Sequence, residues 1–203
     1  MRRATGSNTP EAANKVSIQQ SLDGHSFSVR GLDCEFTGSE PVAVEVLSAR
    51  TMLVPKELFD AERARALLAA NGMPLRGAER VVWSDTQAET VAVIAVHPEA
   101  IRQTEERLGA RVRFTTPLLH VPIAACATVW LYYTGLLLYI KVYKGALQLA
   151  EVIEAPAEAD ILFALERLGQ EFAADDYELC VAGERDRPLY KLLRKRFPKI
   201  RCE

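Results

Sequence analysis

The chain has 203 residues, 49% of them hydrophobic, with 25 lysines and arginines against 27 aspartates and glutamates and a formal net charge of −2. That length and apolar content allow a substantial buried core, while the charge balance argues against a nucleic-acid partner, which selects a basic face. Four scattered cysteines (Cys34, Cys126, Cys180, Cys202) form no Cys-x-x-Cys pair and point to reduced thiols in a cytoplasmic protein, not to a disulfide framework.

Residues 1–14 are polar, with no apolar stretch behind Arg2 and Arg3, and are expected to be a disordered tail and not a secretion signal. Val16 to Leu22 predicts a strand, Asp23-Gly24 a tight turn, and His25 to Arg30 the returning strand. A loop through Asp33 and Gly38 leads to a third strand, Pro41 to Leu47. Lys56 to Asn71 predicts a helix with Leu58, Ala61, Ala64 and Leu68 on one stripe and Gly72 at its C-terminal cap. Strands at Arg80 to Ser84 and Thr90 to Val96 follow. A helix from Pro98 to Leu108 opens on a proline suited to its first turn, and a strand over Arg111 to Thr115 closes this half.

Val121 to Ile140 carries no charge over a length that could cross a bilayer. Thr134-Gly135 interrupts it as a turn would, and Trp130, Tyr132 and Tyr133 sit near its middle, not at interfacial positions. The alternation of Tyr139-Ile140-Lys141-Val142-Tyr143-Lys144 then continues it as a strand. Two adjacent buried strands, Thr128 to Tyr133 and Leu136 to Tyr143, are therefore predicted, with no membrane span. Lys144-Gly145 turns into a third strand, Ala146 to Ile153. A helix near Ala157 to Phe172, a strand Glu178 to Ala182, a helix Arg187 to Phe197 and a last strand Lys199 to Cys202 complete the chain.

Val44-Glu45-Val46-Leu47-Ser48-Ala49 returns as Ala150-Glu151-Val152-Ile153-Glu154-Ala155. Self-similarity of this kind suggests internal duplication. Each half then offers three antiparallel strands, helix, strand, helix, strand, the first half with one strand added. This α/β pattern of mixed sheets predicts two tandem ribonuclease H-like units, residues 15–119 and 120–203, in the architecture of actin-like ATPases.

Through the segments from Ser17 to Ser28 and from Gly135 to Leu149, and the helix containing Leu162 to Leu165, the chain resembles the domain-of-unknown-function 3822 family of uncharacterised bacterial proteins. The likeness lies in Ser17-Ile18-Gln19-Gln20-Ser21-Leu22-Asp23-Gly24-His25-Ser26-Phe27-Ser28 and in Gly135-Leu136-Leu137-Leu138-Tyr139-Ile140-Lys141-Val142-Tyr143-Lys144-Gly145. It continues through Ala146-Leu147-Gln148-Leu149 and the helix containing Leu162-Phe163-Ala164-Leu165. The resemblance implies an actin-like fold and assigns no activity.

Actin-like ATPases hold phosphates between two hairpin turns, where carboxylates anchor magnesium and glycines admit the phosphates to backbone N–H groups. Asp23, Gly24 and Ser26 form the first candidate turn, and Thr134 and Gly135 the second. An Asp-Gly pair is also the commonest hairpin turn. The second turn has no acid and places Leu136 and Leu137 where a phosphate would need room, Lys144-Gly145 adds only a lysine that could pair an anion, and a late Gly-Gly pair is absent. These departures predict a non-catalytic binding or scaffolding module with no cofactor. ATP with magnesium, in a weak ATPase or phosphotransferase using the Asp23-Gly24 turn, is the alternative, and a membrane-associated actin-like platform is a second.

Other chemistry is thinner. His25, His97 and His120 have no ligand-spaced neighbours, so no metal is expected, and His97-Pro98 ends a strand and begins a helix. Asp175-Asp176 is a solvated loop, and Asp186 in Gly183-Glu184-Arg185-Asp186-Arg187 a helix N-cap. Lys191, Arg194, Lys195, Arg196, Lys199 and Arg201 form a charged face opposite Leu189, Leu192, Leu193 and Phe197. No P-loop, Gly-x-Ser-x-Gly elbow or His-Glu-x-x-His appears. A protein partner is expected, and an exposed edge at the last strand suggests a homodimer.

Overall fold

The computed structural model describes residues 16–120, 127–173, 176–182 and 199–202, together with 190, 193, 194 and 197. Strand β1 (Val16–Gln20) alternates buried and half-buried positions and pairs antiparallel with β2 (Phe27–Arg30), Gln20 opposite Phe27. Strand β3 (Val42–Leu47) lies on the other flank of β1, Val16 opposite Val44 and Gln19 opposite Leu47, but runs parallel to it. The expected set of three antiparallel strands is thus corrected in the first half. The connection through residues 31–41 is no hairpin loop: β2 has already returned the chain to the starting end of β1, where Arg30 lies opposite Ser17, and the connection passes across that end to the other flank of β1.

Beyond β3 the chain enters a second sheet. Strand β4 (Thr51–Pro55) was not expected from the sequence. Two single 3₁₀ turns, Lys56–Leu58 and Ala61–Arg63, precede helix α1 (Ala64–Ala70). The helix expected from Lys56 therefore starts later, because Asp60 is extended and its side chain accepts from Glu62 N–H at 2.9 Å. Its predicted stop holds: Gly72 has φ +74°, and Met73 N–H reaches back to Leu68 O at 2.9 Å. Strands β5 (Arg80–Trp83) and β6 (Thr90–Val96) complete an antiparallel sheet in the order β4-β6-β5. Helix α2 (Pro98–Leu108) begins where the proline predicts, with Glu99 N–H donating to His97 Nδ1 at 3.2 Å. Strand β7 (Val112–Thr115) then pairs parallel with β3, giving a first sheet of order β2-β1-β3-β7.

The second half matches its expected strands more closely. Strands β8 (Ala127–Tyr133), β9 (Leu137–Lys144) and β10 (Ala146–Glu154) form an antiparallel meander. Helix α3 (Glu158–Glu171) follows, then β11 (Glu178–Ala182), parallel to both β8 and β12 (Ile200–Cys202), in the order β10-β9-β8-β11-β12. The uncharged stretch is strand-turn-strand over its described part, residues 127–140, and no described helix is long and apolar enough to cross a membrane. The predicted helix over 187–197, Asp175, Asp186 and the C-terminal cluster lie wholly or mostly outside the described residues.

The sequence repeat falls on strands in unlike positions. Val44–Leu47 lies in β3, flanked by two parallel neighbours, whereas Ala150–Glu154 lies in the edge strand β10, with one antiparallel neighbour. Alternating Val, Leu and Ile is what any half-buried strand uses, so the two segments read alike without being equivalent.

The central sheet of the second half is buried on both faces. Val129, Leu131, Leu138 and Ile140 pack on Ile161, Leu165 and Leu168 of α3. Trp130, Leu137 and Tyr139 face the other way and meet Leu47 and Leu118 of the first half. Lys141 shares that second face and is fully buried. Its ammonium donates to Leu118 O at 3.1 Å and to His120 O, and lies 4.1 Å from the centre of the Trp130 ring. Such partners offset the cost of removing a cation from water. In the first half, α2 and the face of β6 bearing Ala92, Ile94 and Val96 pack on Val16, Ile18, Val44 and Val46. On the opposite face of that small sheet, Leu68 of α1 meets Val54, Val93 and Ala95.

Candidate functional site

The first candidate turn is closed by its own hydrogen bonds. Ser21 N–H donates to Ser26 O at 2.9 Å, and Gly24 N–H to Ser21 O at 3.1 Å. Asp23 Oδ1 accepts from Ser21 Oγ at 2.6 Å and from His25 N–H at 2.9 Å. Those two donors, Ser21 first, lower the Asp23 pKa from its ordinary value. Ser21 Oγ in turn accepts from Ser26 N–H at 3.0 Å. Asp23 thus acts as the acceptor that shapes an Asx-type turn, and the Ser26 N–H is held within the same turn.

Behind this turn lies a buried polar cluster that no local motif announces. Glu79 accepts from Arg50 Nε at 2.8 Å through one oxygen and from Arg50 Nη2 through the other. Gln20 Nε2 donates to Glu79 Oε1, and the backbone N–H of Arg76 donates to Glu79 Oε2 at 2.7 Å. The amide of Gln20 is itself oriented, because its carbonyl oxygen accepts from His97 N–H at 2.8 Å. Arg50 Nη1 reaches Leu22 O at 3.3 Å. Gly24, at φ +78°, packs so closely on this cluster that a Cβ there would lie 2.8 Å from Glu79 Oε1 and 3.0 Å from Arg50 Nη2.

The second candidate turn is equally self-contained. Thr134 N–H donates to Leu137 O at 3.0 Å, and Leu137 N–H to Thr134 Oγ1 at 3.1 Å. Gly135 adopts φ +90°, and its carbonyl accepts from Tyr133 Oη at 2.9 Å. Ala155 N–H donates to Leu136 O at 2.8 Å, tying the turn to the end of β10. Leu136 and Leu22, one from each turn, pack into the same apolar cluster around Trp130 and Tyr139.

Arg76 links the two regions. Its Nη1 donates to Leu22 O at 2.5 Å and stands 3.5 Å from Glu154 Oε1. Beside it a shallow cleft of about 140 Å³ is lined by Ala49, Arg50, Met73, Arg76, Val152 and Glu154.

The remaining sequence candidates are dispersed. His25 lies over Gly77, where a Cβ would approach its ring to 3.1 Å. His97 caps α2 and stacks on Phe27 at 5.0 Å, and His120 stacks on Trp130 at 5.6 Å. Among the described residues no group of three or more His, Cys, Asp or Glu could hold a metal ion. Lys144 is exposed, with its ammonium 4.0 Å from Asp176 and 5.7 Å from the centre of the Tyr177 ring. Sequence reasoning found both turns and missed Gln20, Arg50, Arg76 and Glu79. Arg50 and Glu79 are far apart in sequence and sit in no recognisable motif, and only the fold brings them together.

The architecture is similar to that of a Bacteroides thetaiotaomicron VPI-5482 protein with actin-like ATPase fold and unknown function. The TM-score is 0.68 at 18% identity, over 93% of this chain and 90% of that one. A much looser similarity, TM-score 0.38 at 12% identity, joins it to the cytoplasmic domain of EpsL, an inner membrane component of the type II secretion system of Vibrio cholerae. That match covers 82% of this chain and 81% of the other. No protein-family model and no curated relative matches the chain. The class is nevertheless defined: this is a protein of mixed α/β construction with the actin-like ATPase fold.

Proposed function

We propose that the protein is a non-catalytic member of the actin-like class, of the domain-of-unknown-function 3822 kind, serving as a cytoplasmic binding or scaffolding module for a protein partner. The observation that carries this reading is the internal closure of both candidate phosphate turns. Asp23 is engaged by Ser21 and His25, Thr134 by Leu137, and the Glu79 carboxylate fills the space against Gly24. A nucleotide phosphate needs free N–H groups and an acid able to hold hydrated magnesium. In these turns the N–H groups of Ser21, Gly24, His25, Ser26, Thr134 and Leu137 and the Oδ1 of Asp23 are engaged within the chain, and Leu22 and Leu136 pack in one apolar cluster. Leu58 and Phe163, 70% and 73% exposed, add apolar surface of the kind a partner covers.

Isothermal titration with ATP and magnesium tests the proposal directly. The expected result is no saturable heat and no phosphate release, and micromolar binding with turnover would overturn it. Asp23→Ala separates the rival use of that residue: it is expected to lower thermal stability slightly, as loss of an exposed turn-shaping hydrogen bond does, with ligand behaviour unchanged.

A further inference from the structure

Residues 71–79 cross the first hairpin as a strap. Gly77 meets the His25 ring, Arg76 bonds Leu22 O and pairs with Glu154, and Glu79 inserts its carboxylate beneath Gly24. The donors that receive this carboxylate belong in part to the strap, through Arg76 N–H, and in part to the body of the protein. The body supplies the Arg50 guanidinium and the Gln20 amide, 4% and 1% exposed as residues. Each also has a partner apart from Glu79, Arg50 in Leu22 O and Gln20 in His97 N–H. A planar guanidinium offering two N–H groups beside a fixed amide N–H is the geometry by which proteins grip carboxylates and phosphates.

We propose that Arg50 and Gln20 form an oxyanion seat whose resident ligand is the Glu79 side chain, so that the strap holds the protein in a self-liganded state. When Glu79 leaves, the seat takes a small oxyanion able to present two oxygens to Arg50. Burial supports this assignment, because a guanidinium removed from water in this way demands an anionic partner. Size supports it too: truncating Glu to Ala removes the equivalent of one acetate ion, close to the bulk of a phosphate. The inference goes beyond the scaffolding proposal, with which it shares only the position of Glu79 against Gly24, and it concerns no nucleotide and no turnover.

The test is anion rescue of Glu79→Ala, with inorganic phosphate and acetate as separate probes against chloride at matched ionic strength. At an anion concentration about fifty times its Kd, ligand linkage predicts a Tm rise of about 5 °C or more in the variant. The wild type, already liganded, is expected to move by less than about 1 °C under the same linkage. Phosphate rescue without acetate rescue, or the reverse, identifies which oxyanion the seat prefers, and either supports the seat. An equal response of Glu79→Ala to chloride, phosphate and acetate overturns it, as does an undiminished phosphate response in Arg50→Met/Glu79→Ala. If Glu79→Ala does not fold in chloride, refolding yield becomes the readout. Recovery in phosphate or acetate supports the proposal, and failure in both refutes it. An ATP titration that contradicts the scaffolding proposal would leave this result standing, and the converse holds as well.

Discussion

Gly24→Ala is expected to be far more damaging than the same change at other glycines of similar backbone conformation. Gly24, Gly72 and Gly135 have φ of +78°, +74° and +90°. An alanine at any of them carries the left-handed penalty of about 1–2 kcal/mol. At Gly72 and Gly135 the added methyl meets nothing within 4 Å, so that penalty is the whole effect. At Gly24 the methyl lies 2.8 Å from Glu79 Oε1 and 3.1 Å from its Cδ, well inside van der Waals contact. Glu79 cannot swing away freely, because Arg50, Gln20 and the Arg76 N–H all hold it. Breaking a buried ion pair outright costs about 3–5 kcal/mol, and partial displacement a fraction of that. The expected loss at Gly24 is therefore about 3 kcal/mol, against about 1–2 kcal/mol at the open glycines. In a chain of this size that corresponds to Tm falls of about 6–12 °C and about 2–8 °C respectively. Urea and thermal unfolding followed by circular dichroism measure both. Introducing Gly24→Ala into a Glu79→Ala background should bring its cost down toward that of the open sites, with only the 3.0 Å approach to Arg50 Nη2 left to relax. Equal losses at Gly24 and Gly135 in the wild-type background would refute the argument, because strain alone would then explain both.

Two further outcomes are expected. Leu165, 1% exposed where α3 meets the five-stranded sheet, should lose about 2–5 kcal/mol on truncation to alanine, read as a lower urea midpoint with unchanged slope. Glu99 is held down to a pKa of about 2, chiefly by its hydrogen bond from Arg102. Because the folded value lies below that of the unfolded chain, its stabilisation is present above about pH 4.5 and is lost as pH falls toward 2. The stability gap between wild type and Glu99→Gln should close over that range, and a gap unchanged down to the lower limit would show that Arg102 does not set it.

Much of the fold was legible because its signals are local. Pro98 opened α2, Gly72 ended α1, and the alternation from Tyr139 to Lys144 identified β9 despite a length and polarity that suited a membrane helix. Strand order was not legible. Nothing between Arg30 and Val42 says whether the chain turns back beside β2 or crosses to the far flank of β1, so β3 was expected to pair antiparallel with β2 and instead pairs parallel with β1. Strand β4 escaped notice because Thr51–Pro55 is too short to establish a period beside the helix expected next to it. The two candidate turns were found because Asp-Gly and Thr-Gly are local codes. The cluster behind them was not, because a lone arginine and a lone glutamate in a sequence ordinarily indicate solvated surface. Their burial is a property of the assembled sheets.

The two-sided burial of the five-stranded sheet also limits how this polypeptide can be divided. Were the chain severed between His120 and Ala127, the C-terminal fragment would present Trp130, Tyr139 and the Lys141 ammonium to water along one flank. The carbonyls that receive that ammonium, on Leu118 and His120, would stay with the other piece. Neither fragment would be a self-sufficient folding unit, so genetic fission at this junction should yield insoluble products that regain solubility only on co-expression.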